Sequence, residues 1–136
     1  MPADSPIVLI IDDSPTIRFI TKVYLTGMGV EIREASSGRV GLAAIEAGGI
    51  DLVVSDLTMA DIDGLEFVRQ LRAHRDPRHN RIPVIILTME SGPGLRERLL
   101  AAGASEHLTK PVSNTALRAV VLSLLPPSPG PGRGGK

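Results

Sequence analysis

The sequence predicts one three-layer α/β sandwich, a doubly wound sheet of five parallel strands with five helices. Strand-like and helix-like segments alternate five times along the chain, with no internal repeat. The runs Ile7-Val8-Leu9-Ile10-Ile11, Leu52-Val53-Val54 (before Ser55) and Val84-Ile85-Ile86-Leu87 are continuously apolar, as parallel strands buried on both faces are. A length of 136 residues suits a single domain with a real core.

The elements follow in order. The first strand, about Ile7 to Ile11, is continuous and, Leu9 apart, β-branched; Ser14 can cap the helix after it, and Pro15 suits that helix's first position. Ile17, Ile20, Val23 and Tyr24 form its apolar stripe, and Gly27 stops it. Val30 to Ala35 mixes apolar and charged residues, which suits a strand near the sheet edge. A second helix from about Gly38 to Ala47 ends at Gly48-Gly49. After the third strand, Asp63 reads as the N-cap of a helix carrying Leu65, Val68 and Leu71, which fades before Asp76-Pro77. Pro83 opens the fourth strand. The fourth helix, about Leu95 to Ala102, has a loose start at Ser91-Gly92-Pro93-Gly94, where mobility is expected. Gly103 breaks it, a short fifth strand follows, and Ser113 or Asn114 caps a last helix with Leu117, Val120, Val121 and Leu124. Right-handed crossovers then give the strand order 2-1-3-4-5. Residues 126–136, rich in Pro and Gly, cannot bury anything and read as a disordered tail or a linker after a domain of residues 1–125.

Composition narrows the functions. Lys plus Arg and Asp plus Glu both total 15, so no basic face for nucleic acid or for a membrane surface is evident. The chain has no cysteine, which excludes disulfides and thiolate metal sites. Met1-Pro2-Ala3-Asp4-Ser5 lacks the pattern of a signal peptide, and no apolar run reaches membrane-spanning length. A cytoplasmic domain is the expectation.

The polar residues stand where the apolar runs stop. Asp12 and Asp13 follow the first strand, Asp56 the third, Thr88 the fourth, and Lys110 the fifth, Glu106-His107-Leu108-Thr109. In an open parallel sheet these carboxyl ends meet in one crevice, where ligands bind. Three carboxylates there would repel one another unless a cation sits among them, and hard oxygen donors suit Mg²⁺. Taken singly, each residue has a plainer reading: Asp56 as a turn cap, Asp12 or Asp13 as a cap for the helix at Ser14-Pro15, Thr88 as a β-favouring strand end, Lys110 as a surface lysine.

Together, Asp12-Asp13, the stretch from Asp56 to Gly64, Thr88 and Lys110-Pro111 resemble the receiver domain of bacterial two-component response regulators, over about Ile7 to Leu125. The resemblance implies a flavodoxin-like fold with Asp56 as phosphoacceptor. Asp13 and Asp56 would ligate Mg²⁺ directly, Asp12 would act through metal-bound water, and Thr58 would offer its backbone carbonyl. Thr88 would bond the phosphoryl oxygen, and Lys110, before a cis Lys-Pro bond, would contact Asp56 and then the phosphoryl group. A sensor histidine kinase or histidine phosphotransfer protein would be the donor. A downstream protein would bind the face of the fourth helix, fifth strand and fifth helix, with no direct contact to nucleic acid or membrane. Such a domain assists its own phosphorylation and dephosphorylation and is not an enzyme in the usual sense.

Some residues depart from the family pattern. His107 stands where many members carry Tyr or Phe, and is either a switch residue of altered character or a simple exposed histidine of the fifth strand. Ala60 replaces a common proline, and Met89 a small residue; Thr58 and Glu90 should tune the lifetime of the acyl phosphate. A haloacid-dehalogenase-type phosphotransferase would need an acid at the Thr58 position. A flavin carrier would need a Ser/Thr/Gly-rich phosphate cradle in place of Asp12-Asp13. A receiver-like interaction module that is never phosphorylated would have no use for all five side chains.

Overall fold

The computed structural model describes residues 5–90 and 92–125. Ser91, in the segment expected to be mobile, and residues 126–136, read above as a tail or linker, lie outside the described residues. The five strands are β1 (Ile7–Ile11), β2 (Glu31–Ala35), β3 (Leu52–Asp56), β4 (Val84–Thr88) and β5 (Glu106–Thr109). All neighbours pair in parallel, in the order β2-β1-β3-β4-β5 that the crossovers predict.

The helices are α1 (Pro15–Tyr24), α2 (Gly38–Glu46), α3 (Gly64–Arg72), α4 (Pro77–Asn80), α5 (Leu95–Ala102) and α6 (Asn114–Leu124). The expectation of five helices is corrected to six. Asp76-Pro77 does not merely end a helix; the Asp76 carboxylate accepts the Arg78 N–H at 2.9 Å, Pro77 takes the first position, and one short turn, α4, forms. The expected fourth and fifth helices are therefore α5 and α6. Side-chain caps occur where anticipated: Ser14 on α1, Asp63 on α3, and Ser113 rather than Asn114 on α6. At the start of α5 stands Gly94, with φ of 77° and no side-chain cap.

Two apolar layers sandwich the sheet. One joins Leu9, Ile11, Val53 and Ile86 to Ile45 of α2, Phe67, Val68 and Leu71 of α3, and Leu99 of α5. The other joins Val8, Ile10, Val54 and Ile85 to Leu117 and Val121 of α6, with Tyr24 of α1 against it. Few aromatics are available, and Phe67 is the large ring placed at the centre, fully buried; such burial stabilises by about 1.5–3 kcal/mol. Arg72 fastens the far end of α3 by donating to the carbonyls of Asn80, Ile82 and Gly103 at 3.0, 2.7 and 2.9 Å. The strands β1, β3 and β4 are thus fixed from both sides, and their carboxyl ends hold their polar residues in set positions.

Candidate functional site

Register carries the acidic residues together. Ile11 pairs with Ser55 across β1 and β3, so Asp12 and Asp56 follow one another at adjacent strand ends. The Asp12 N–H donates to the Ala35 carbonyl at 3.1 Å, extending the sheet by one residue, and Asp12 Oδ1 accepts the Ser14 N–H at 2.9 Å. One of the paired aspartates therefore does serve the turn into α1, as the plainer reading allowed, while Ser14 itself caps the helix. Asp12, Asp13 and Asp56 each present a carboxylate oxygen, all within 4.8 Å of one another.

Lys110 completes the cluster. Its N–H donates to the Thr88 carbonyl at 2.8 Å, which seats it just past β5, and the Lys110–Pro111 bond is cis. The ammonium Nζ lies 3.1 Å from Asp56 Oδ1 and 3.7 Å from Asp12 Oδ2. Asp12 is only 4% exposed. Burial, joined by repulsion from Asp56 and Asp13, pushes its carboxyl above the usual range against the Ser14 N–H and Lys110. A buried acid held against its own charge, beside two more oxygen donors, fits a hard divalent cation such as Mg²⁺.

The other expected residues sit around this centre. Thr88 is 1% exposed at the end of β4, the strand between those leading to Asp56 and Lys110, and its Oγ1 accepts the Glu90 N–H at 2.9 Å. Thr58 is exposed in the loop after β3, where it lines a cavity with Asp63 and Glu90. His107 pairs with Ile86 and is not an exposed strand histidine: its Nε2 is buried, without a hydrogen-bond partner among the described residues. Its carbonyl accepts from Arg96, and burial, with help from the Arg96 charge, lowers its pKa against the opposing pull of Glu106. The structure thus joins Asp12, Asp13, Asp56 and Lys110 directly, with Thr88 at the end of β4, Thr58 two residues beyond Asp56 and His107 in β5.

Three positioning residues were given no role by the sequence, although Asp61 and Gly64 lie in the stretch that carries the resemblance. The Asp61 carboxylate accepts the N–H groups of Gly38, Arg39 and Ile62 at 3.1, 2.8 and 2.7 Å, tying the loop after Asp56 to the start of α2. Burial pushes the Asp61 carboxyl up, but these donors outweigh it and hold it at about 2. Arg18 donates to the Asp12 carbonyl at 2.6 Å and pairs with Glu34 at 3.0 Å. At Gly64 an added Cβ would come within 2.8 Å of the Asp56 carbonyl oxygen, so only glycine lets α3 start this close to the acidic strand end. Asp61 reaches a helix start 23 residues earlier in the chain, and Arg18 and Gly64 act through distances, so no sequence pattern signals any of the three.

The fold and site define a class: doubly wound α/β domains with a lysine-neutralised acidic cluster at the carboxyl edge of a parallel sheet. Residues 8–122 match the model of the response regulator receiver domain family, and the chain belongs to that family. It is 32% identical over 119 residues to the sensor histidine kinase GacS of Pseudomonas protegens, covering 87% of this chain and 13% of that protein. Identity reaches 34% over 120 residues with the cyclic di-GMP phosphodiesterase response regulator RpfG of Xanthomonas campestris, covering 87% of this chain and 31% of that one. The chain therefore spans under a third of either relative. Among solved structures, the chemotaxis response regulator CheY4 of Vibrio cholerae superposes with a TM-score of 0.80 at 30% identity, covering 89% of this chain and 99% of that one. Receiver domains are signalling domains, and among the described residues no helix is long and apolar enough to cross a membrane.

Proposed function

We propose that this chain is a phosphorylation switch in which Asp56 accepts a phosphoryl group from a phosphohistidine of a sensor histidine kinase or histidine phosphotransfer protein. The observation that carries this reading is the convergence of Asp12, Asp13 and Asp56 within 4.8 Å, with Lys110 beside Asp56. An Asp56 oxygen attacks phosphorus in line; a P–O bond forms as the P–N bond breaks, and its electron pair leaves with the imidazole, which takes up a proton. Lys110 stays at Asp56 and meets the charge on the phosphoryl oxygens. Mg²⁺, held by Asp13, Asp56, the Thr58 carbonyl and, through water, Asp12, would neutralise charge on the carboxylates and the phosphoryl group.

A protein donor also suits the surface beside the site. Phe19, Ile20 and Val23 of α1 are exposed, Phe19 by 62%, and an apolar cavity lined by Ile17, Ile20, Met89 and Pro111 opens next to Lys110. Once phosphorylated, the domain draws the Thr88 hydroxyl toward the new oxygens and shifts His107 and its strand. The α5–β5–α6 face then changes its affinity for a downstream protein in the cytoplasm.

The test is labelling by acetyl phosphate with Mg²⁺, read as intact mass. Asp56→Asn should abolish the single-phosphate adduct; an equal adduct on the variant would refute the nucleophile.

A further inference from the structure

A second cluster of ligating side chains lies away from the acidic site. Glu46 is the last residue of α2, His74 stands just beyond α3, and His79 belongs to α4. Glu46 precedes β3 and His79 precedes β4, so the cluster belongs to the amino ends of those strands, while Asp56 closes the carboxyl end of β3. The chain has three histidines, and two of them meet here with a carboxylate, each residue offering a ligand atom within 4.8 Å of the others.

The donor set decides the chemistry. Two imidazole nitrogens and one carboxylate oxygen suit Zn²⁺ and its borderline neighbours, whereas Mg²⁺ and Ca²⁺ want oxygen alone. We propose that Glu46, His74 and His79 form a binding site for a Zn²⁺-class divalent cation, with water in the fourth position, that staples the end of α2 to the α3–β4 connection.

The local structure prepares such a site. The two rings stand edge to face, with centroids 4.8 Å apart and planes at 89°, so both can face one point without stacking. The His79 side chain is only 12% exposed. Asn80 Nδ2 donates to the His74 carbonyl at 2.9 Å, and Asp76 caps the turn that carries His79, so the backbone around both rings is held. A polar cavity of about 390 Å³ has Glu46 and His79 in its wall and gives a cation access from solvent. In the metal-free fold His74 meets Glu46 and His79 Nε2 lies 3.7 Å from Asp76 Oδ2, and two separate contacts of this kind do not require both rings and Glu46 to converge within 4.8 Å as they do.

The proton on His74 supplies a specific reporter. The Asp76 N–H donates to His74 Nδ1 at 2.9 Å, so a neutral His74 carries its hydrogen on Nε2, directed at Glu46. A cation that takes Nε2 displaces that hydrogen, which passes through solvent to Nδ1, and the Asp76 N–H loses its acceptor. Zn²⁺ binding must therefore move the Asp76 amide resonance as well as both imidazoles.

The experiment is calorimetric and NMR titration of the full chain with Zn²⁺ in excess Mg²⁺, which competes for the aspartate cluster. One saturable site is expected, with the Asp76 amide and the His74 and His79 ring signals shifting together. His79→Ala and Glu46→Gln should each weaken Zn²⁺ binding by about tenfold or more. Acetyl phosphate labelling of both variants should match the parent chain, which shows them folded and separates this site from the proposed switch. No saturable binding, affinity unchanged from the parent chain in either variant, or shifts confined to Asp12, Asp13 and Asp56 would each overturn the proposal.

Discussion

The Lys110 ammonium stands 3.1 Å from Asp56 Oδ1, and both side chains are mostly buried. Without a metal, Lys110 is the cation that lets three carboxylates share one crevice. Lys110→Met should thus bind Mg²⁺ more tightly, because a competing positive charge is gone; at these separations the gain is about 1 kcal/mol, or roughly fivefold. Phosphorylation should slow in the same variant, since no ammonium meets the phosphoryl oxygens. Calorimetry with Mg²⁺ and the rate of labelling by acetyl phosphate read the two effects separately. Weaker Mg²⁺ binding would contradict this account of the lysine.

Asp12 stores electrostatic strain in the metal-free fold. Burial raises its carboxyl above the ordinary value of 3.8, so the ionised form is disfavoured in the folded state relative to the unfolded chain. The sign follows: at neutral pH the charge opposes folding, and the penalty fades as pH falls through the raised folded value towards 3.8. Asp12→Asn keeps an oxygen for the Ser14 N–H and drops the charge. In EDTA at pH 7.5 it should be more stable by about 1 kcal/mol, an advantage that disappears below about pH 4. Urea melts at the two pH values measure this, and added Mg²⁺ should stabilise the parent chain far more than the variant.

Gly64→Ala tests how closely α3 must approach the acidic strand end. A Cβ there would meet the Asp56 carbonyl oxygen at 2.8 Å and the Leu57 Cα at 3.0 Å, both of them backbone and unable to swing away. Alanine's helix advantage over glycine is about 1 kcal/mol, and overpacking costs about 1–3 kcal/mol, so the clash wins. We expect a lower urea midpoint and, if Asp56 is the phosphoacceptor as proposed, slower labelling, because the displaced backbone carries Asp56.

The sheet and the acidic cluster were legible in the sequence because both follow from pattern. A continuous apolar run marks a strand buried on two faces, and a polar residue where it stops marks the crevice; Asp12, Asp56 and Lys110 were readable in that way. The sixth helix was not, since the four residues of α4 carry too little periodicity and Asp76-Pro77 signals a break as readily as a cap. The Asp61 clamp on α2 depends on a contact between segments 22–23 residues apart, and the Arg18 bond to the Asp12 carbonyl and the close approach at Gly64 depend on how the folded loops place those atoms. Charge and spacing do not encode those. His107 was ambiguous for a related reason: whether a strand histidine points into the protein depends on which face its neighbours close.

That ambiguity yields the last prediction. With Nε2 buried and without a hydrogen-bond partner among the described residues, and Arg96 and Glu106 the charged groups around it, His107 is held below its ordinary value of 6.5. The unfolded chain takes up a proton as pH drops through 6.5, while the folded chain does so only at lower pH. Stability contributed at this position is therefore complete above 6.5 and declines below it. His107→Phe removes both the titration and the unpaired nitrogen, whose burial costs about 1–3 kcal/mol, and it keeps a planar ring of similar size. The variant should be more stable at pH 7.5, and its margin over the parent chain should widen as the pH is lowered to 5.5. Urea unfolding at several pH values gives that margin directly, and a margin independent of pH would mean that His107 is solvated and free to protonate.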